Sequence, residues 1–215
     1  MINPSTSALL KCNQTNLVWL FNCPEGSQHL LMKQKIRIHQ INNIVLTNLS
    51  LENLAGLMGL LSSLSLNSRI YQINIYGPPG ISNYLQFARK YSQTMFKYKL
   101  KVHVLSYGYI AYSLPNLIYA YSIDLKSNQI EYIILEKEKI GRFLLTKAKA
   151  FNLIAGPLYG YLKLQNRFIT PDGYIIAGKF FTSNRSLGLK ITYLEHKHGY
   201  RPSIEATMSS TEVIG

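Results

Sequence analysis

Acidic residues are scarce in this chain. Of 215 residues only 10 are Asp or Glu, against 23 Lys and Arg, which leaves a formal net charge of +13. That imbalance points to a polyanionic partner such as nucleic acid. Cysteine is scarcer still: Cys12 and Cys23 are the only two. Two isolated thiols make neither a zinc-ligand spacing nor a disulfide framework, so both are expected to be small buried groups in a reducing compartment. No apolar run reaches the length of a membrane span, and the N-terminus lacks a charged-then-apolar leader. A transit peptide is not evident either, so a protein working in an organelle is expected to be encoded there. There is no internal repeat and no low-complexity tract.

What is present is an apolar fraction of 47% with 16 Tyr and 8 Phe, enough for one domain with a substantial core. Richness in Asn, Ile, Lys, Tyr and Phe matches AT-rich codons and suggests an AT-biased genome, which accounts for part of the lysine excess. It accounts less well for the acidic deficit. Leu9–Leu10 and Leu17–Phe21 read as strands around the turn Asn13–Asn16. Ser27 is placed to cap a helix through Leu30, Leu31 and Met32. Ile41 to Leu46 suits a strand buried on both faces, and Leu54 to Leu66 a buried helix. Ile70 to Tyr76 alternates like a strand until Gly77-Pro78-Pro79-Gly80 stops it, and Ile81 to Tyr91 follows as a helix. Leu100–Leu105, Tyr107–Leu114, Leu117–Leu125 and Gly188–Leu194 read as further strands. The order β-β-α-β-α-β-α followed by strands is an α/β layered architecture. Residues 136–178 are Lys-rich with Gly-Pro and Pro-Asp-Gly turns, an excursion from the core.

Three ordered stretches resemble ribonuclease Z, the endonuclease that trims tRNA 3′ trailers. Leu20-Phe21-Asn22-Cys23-Pro24-Glu25-Gly26-Ser27-Gln28 is similar to L-F-D/N-C-G-E-G-T-Q. Asn43-Ile44-Val45-Leu46-Thr47 leads into Gly56-Leu57-Met58-Gly59-Leu60-Leu61, resembling G-L-P-G-L-L, and Tyr76-Gly77-Pro78-Pro79-Gly80 resembles Y-G-P-x-G. Gly141-Arg142-Phe143, Lys147-Ala148-Lys149 and Gly156-Pro157-Leu158-Tyr159-Gly160-Tyr161-Leu162-Lys163 are similar to the family's protruding arm. The resemblance runs from about Asn3 to about Ser203. It implies an α/β fold of the metallo-β-lactamase type, an αββα sandwich. The implied layout is a single domain over 1–215, C-terminally shortened, with 136–178 as the tRNA-binding arm.

The family motif H-x-H-x-D-H converges imidazoles and a carboxylate on two zinc ions, which supply hydroxide and clamp phosphate. Here the matching positions are Asn48, Ser50, Glu52 and Asn53. Neutral amides and a hydroxyl are weak zinc ligands, and Glu52 alone cannot hold a metal pair. Tyr112, ahead of Pro115, stands where a further histidine is usual. Glu195-His196-Lys197-His198-Gly199 replaces a G-D-T segment, and the closing ligand segment has no counterpart before Gly215. The resemblance therefore implies no catalytic residue and no metal or other cofactor, although the family uses zinc. His196 and His198 would share a face in a strand, but a surface pair among Lys197 and Arg201 is the simpler reading. His29, His39 and His103 are scattered singly.

The arm resemblance implies RNA contacts by Arg142, Lys147, Lys149, Gly156, Pro157, Tyr159 and Lys163. Lysines and arginines, with Arg167 among them, take phosphates, Tyr159 and Tyr161 pack on sugar or base, and Gly156-Pro157 sets the turn. Without the resemblance these lysines would read as a solvated face. The non-catalytic N-terminal half of long-form ribonuclease Z also lacks the metal motif and reads F-N-C-G-E-G. The expectation is a non-catalytic tRNA-binding protein, as a homodimer or paired with an active ribonuclease Z, away from membranes, in a plastid or otherwise in the cytoplasm. One rival is an active zinc-dependent tRNA 3′ endonuclease with an atypical site using Glu52, Glu195, His196 or His198. The other is a decaying gene product that no longer binds RNA.

Overall fold

The computed structural model describes residues 7–11, 18–106, 108, 110–113, 116–122, 130–138, 140–169, 173–185, 187–194 and 201–214. The chain divides into two compact units. One comprises Met1–Ser113, Leu117–Ile134 and Lys190–Gly215; the other comprises Leu114–Asn116 and Leu135–Leu189.

The first unit begins with β1 (Ala8–Lys11), β2 (Val18–Phe21), α1 (Ser27–Lys33), β3 (Ile41–Val45), α2 (Leu51–Leu54), α3 (Leu57–Leu66), β4 (Ile73–Gly77), α4 (Ile81–Ser92) and β5 (Leu100–Val104). The strands form one sheet in the order β1-β2-β3-β4-β5, with β1 antiparallel and the rest parallel. Alternation along these strands sorts their side chains between two cores. Val18, Leu20, Ile44, Ile73 and Ile75 meet Leu57, Leu60, Leu61, Leu64, Ile81 and Leu85 of the helices. Trp19, Phe21, Val45 and Tyr76 face the other way, onto a second sheet.

That second sheet contains β6 (Ile110–Ser113), β7 (Asn116–Ser122), β8 (Ile130–Glu136), β11 (Leu189–Tyr193) and β12 (Glu212–Ile214), in the order β12-β11-β8-β7-β6. Tyr132, Ile134, Ile191 and Tyr193 point into the space between the sheets. The alternate residue Glu131 faces α7 (Arg201–Thr207), where Ser203 Oγ donates to its Oε2 at 3.0 Å. The layers are therefore αββα, as the sequence led us to expect. In the second unit, α5 (Leu145–Ala150), α6 (Pro157–Lys163) and the antiparallel pair β9 (Arg167–Ile169) and β10 (Ile175–Ala177) surround a small core of Ala148, Leu162 and Phe181. Among the described residues no helix is long and apolar enough to cross a membrane.

Several elements differ from their sequence patterns for identifiable reasons. The single helix expected over Leu54–Leu66 is two, α2 and α3, broken at Gly56. The Gly56 amide donates to the Cys23 carbonyl at 2.9 Å, and the backbones approach so closely that a Cβ at 56 would lie 2.1 Å from the Pro24 oxygen. Strand β4 starts at Ile73 rather than Ile70, because the Arg69 side chain donates to the carbonyls of Tyr71 (2.9 Å) and Gln72 (3.3 Å) and folds 69–72 into a bend. Ser27 does not cap α1 but is its first residue; Gly26, at φ 75, precedes it, and the Ser27 hydroxyl donates to the Pro24 carbonyl. Strand β8 and the terminal α7 and β12 carry no strong sequence pattern. The turn Asn13–Asn16 lies outside the described residues.

Gly56 and Gly59 separate two consequences of adding a methyl group. Gly56 has ordinary helical angles, φ −80 and ψ −10, so alanine there is opposed by close backbone contact, with the Pro24 oxygen 2.1 Å and the Cys23 oxygen 3.0 Å from a Cβ. Gly56→Ala is expected to lower stability by about 3 kcal/mol, at the upper end of overpacking costs. The nearest atom to a Cβ at 59, Gln28 Nε2, is 3.5 Å away, and Gly59→Ala in the exposed face of α3 is expected to raise stability by about 0.5–1 kcal/mol. Urea denaturation of the two variants checks both signs.

Candidate functional site

The parallel strands β2, β3 and β4 deliver their C-terminal ends to one side of the first sheet, the side where α/β sheets place ligands. From the end of β3 the chain runs through Thr47, Asn48, Leu49 and Ser50 into α2, which carries Glu52 and Asn53. The structure brings three of these side chains together, those of Thr47, Asn48 and Asn53. Asn53 Nδ2 donates to Asn48 Oδ1 at 2.9 Å and to Thr47 Oγ1 at 3.3 Å. Asn48 Oδ1 also accepts the Ser50 amide at 2.9 Å, an Asx turn that shapes the loop. Thr47 donates twice to Asn22 Oδ1, from its amide at 2.9 Å and its hydroxyl at 3.0 Å.

Asn22 is the residue whose role the sequence does not announce. It ends β2 in the left-handed region, φ 51, which Asn tolerates better than most residues. Its Nδ2 donates to the Tyr193 hydroxyl of β11 at 3.3 Å, so one buried amide ties β2, β3 and the second sheet together. The Tyr193 ring stacks on Phe21 with centroids 4.6 Å apart. Nearby, the Tyr132 hydroxyl donates to the Leu46 carbonyl at 2.6 Å. The abundance of tyrosine in the sequence was the available signal, but which tyrosines meet the loop depends on long-range pairing.

Tested as a zinc site, the loop does not fit. Its inward donors are neutral, and the Asn48 oxygen and Asn53 amide are directed at each other and at Thr47 and Ser50 rather than converging on a common point. Glu52 and Ser50 are exposed. No group of three His, Cys, Asp or Glu able to hold a metal exists among the described residues. Tyr112 lies on β6, and Glu195, His196 and His198 lie outside the described residues. Cys12 does too. Cys23 is free and buried under the loop, and burial pushes its thiol up to about 12. His103 stacks on Tyr76 at 4.6 Å, and burial, aided by Lys101, lowers its pKa.

In the second unit Arg142, Lys147, Lys149 and Lys163 are all exposed. Lys147 lies over the Phe180 ring, 4.7 Å from its centroid. Pro157 is the first residue of α6, where its fixed φ suits a helix start. Gly156 is extended, φ 176, with open space where a Cβ would be, so neither conformation nor packing within the chain demands glycine there. Tyr159 is engaged internally: its ring lies 4.9 Å from that of Phe143 and its hydroxyl donates to the Leu153 carbonyl at 2.7 Å. Tyr161 is the exposed tyrosine of the helix.

The layered fold is that of the metallo-β-lactamase class. It is similar to the crystal structure of human tRNase Z, short form, with a TM-score of 0.54 and 24% identity over 63% of this chain and 61% of that one. No protein-family model matches the chain. It is 41% identical over 187 residues to the uncharacterized protein ycf56 of Pyropia yezoensis, covering 87% of this chain and 71% of that protein. It is 36% identical over 188 residues to ribonuclease Z of Nostoc punctiforme, covering 87% of this chain. The chain belongs to the ribonuclease Z family, and it spans 59% of the length of that cyanobacterial relative.

Two outcomes follow from the loop. Asn22→Ala removes the acceptor of the buried Thr47 amide and places alanine at positive φ; a loss of about 3 kcal/mol in urea denaturation is expected. With its folded-state pKa raised above the ordinary value of 9.0, Cys23 contributes stability that is complete below pH 9 and fades as pH rises toward about 12. At pH 8 the folded protein should leave Cys23 unmodified by iodoacetamide, read by peptide mass spectrometry, and the unfolded protein should not.

Proposed function

We propose that this protein binds tRNA or precursor tRNA in tRNA 3′-end maturation without zinc-dependent phosphodiesterase activity of its own. The observation that carries the reading is the bond from Asn53 Nδ2 to Asn48 Oδ1. At the positions that match the family's metal-ligand pattern, one neutral side-chain amide donates to the oxygen of another. A loop organised by such bonds needs no ion to hold its shape. Glu52 is exposed beside it, a single carboxylate where hydroxide generation and phosphate clamping need several anionic or imidazole donors.

The exposed cations of the second unit support the RNA half of the proposal. Arg142, Lys147, Lys149 and Lys163 offer phosphate contacts, and Gly156, free of internal demands, leaves room for a sugar–phosphate backbone to approach. Tyr161, rather than the engaged Tyr159, is the ring available to stack on a sugar or base. The protein acts in a plastid, as the AT-biased composition and the likeness to ycf56 proteins suggest, and it works as a dimer with its own copy or with an active ribonuclease Z.

Gly156→Ala discriminates a ligand-facing glycine from a structural one. Stability is expected to change by less than about 0.5 kcal/mol, as for an ordinary surface substitution, while tRNA affinity falls. Charge reversal at Lys147, Lys149 and Lys163 is expected to weaken binding to a precursor tRNA transcript at least tenfold and to flatten its salt dependence, by about one unit of slope for each phosphate no longer neutralised. Unchanged affinity would favour the decayed gene product. The same transcript should remain uncut when zinc or manganese is added, and specific cleavage would establish the endonuclease with an atypical site.

A further inference from the structure

We infer that the first unit carries a second RNA-contacting surface, at the outer margin of the first sheet where α4 meets β5, separate from the cations of the second unit. The choice of RNA as the ligand rests on the tRNA-binding reading; the surface itself rests on charge and shape.

The charge distribution along the chain is uneven. No Asp or Glu occurs between Glu52 and Asp124, while Arg89, Lys90, Lys97, Lys99 and Lys101 fall within one short segment. That segment comprises the last turn of α4, the connection after it and the start of β5. All five side chains are exposed, and among the described residues none of them forms an ion pair. An edge strand often carries a lysine to discourage pairing with another sheet, and Lys101 on β5, the last strand of its sheet, would be explained that way. Five cations with no ion-pair partner among the described residues exceed that requirement and repel one another when the surface is empty.

The shape is a groove of about 640 Å³ between α4 and β5. Arg89 and Lys90 line it beside Ser82, Gln86, Gln93 and Thr94, and Leu85, Leu100 and Val102 supply apolar wall. Such a lining offers cations and neutral hydrogen-bonding groups to phosphate and sugar and an apolar surface to an unstacked base. Tyr91 is exposed at the same margin, with Lys90 Nζ 6.0 Å from its ring centroid. The lack of Asp and Glu in this stretch of sequence favours a nucleic-acid strand over a basic or neutral peptide.

The test compares three variants of the whole chain with the parent, each first checked for an unaltered thermal transition. The margin variant is Arg89→Gln, Lys90→Gln, Lys99→Gln; the arm variant is Lys147→Gln, Lys149→Gln, Lys163→Gln. Lys33→Gln, Lys35→Gln, Arg37→Gln serves as a control for net charge, its three exposed cations lying at and just after the end of α1. Affinity for a precursor tRNA transcript is measured against salt concentration. The margin variant should bind at least tenfold more weakly, with a slope smaller by about two to three, and its loss should add to that of the arm variant. The control should change affinity by less than threefold. A margin variant that binds like the parent while the arm variant weakens would overturn this inference and leave the tRNA-binding reading standing. Parent protein with no salt-sensitive affinity would overturn both. A change in oligomeric state with tRNA affinity intact would overturn it too, and make the margin a protein interface instead.

Discussion

The side-chain amide of Asn22 is the constraint on which the loop geometry rests. It sits at the end of β2, accepts both the backbone and the hydroxyl of Thr47 at the end of β3, and reaches Tyr193 on the second sheet. Each such bond contributes only about 1 kcal/mol net, yet leaving one of these buried groups unsatisfied costs more than that. The arrangement is therefore selective as well as stabilising. Asn53 then continues the chain of bonds from Thr47 to Asn48, so the loop after β3 is held by neutral groups from end to end.

The layers around it make this possible. Alternation in β2 sends Val18 and Leu20 toward the helices and Trp19 and Phe21 toward the second sheet, and β3 divides Ile44 and Val45 in the same way, which leaves the strand ends as the place where polar groups gather. Gly56 lets the start of α3 lie directly against the Cys23–Pro24 backbone, and the Cys23 amide donates to the Asn53 carbonyl at 2.8 Å. The Asn53 side chain thus meets Thr47 and Asn48 on a loop whose backbone is itself fixed against the end of β2.

Much of the fold was legible because parallel strands buried on both faces give compact apolar runs. Ile41–Leu46 and the Gly77–Gly80 stop marked β3 and the end of β4, and the sequence also singled out Asn48, Ser50 and Asn53. The partners of those residues were not legible. Asn22 and Tyr193 are 171 positions apart, and their meeting depends on how two sheets stack. Arg69 likewise hides its influence, since a side chain that binds backbone carbonyls leaves no periodic trace. For the cations of α5 and α6 the sequence supplied type and spacing, whereas only the structure distinguishes the engaged Tyr159 from the exposed Tyr161.

The chain keeps the layered fold of its family, and the loop after β3 carries hydrogen bonds among Thr47, Asn48 and Asn53. The most direct test is the metal content of the purified protein, measured by inductively coupled plasma mass spectrometry after dialysis against zinc-containing buffer. Zinc well below one ion per chain is the expected result; a stoichiometric zinc pair would contradict a loop closed by its own amides.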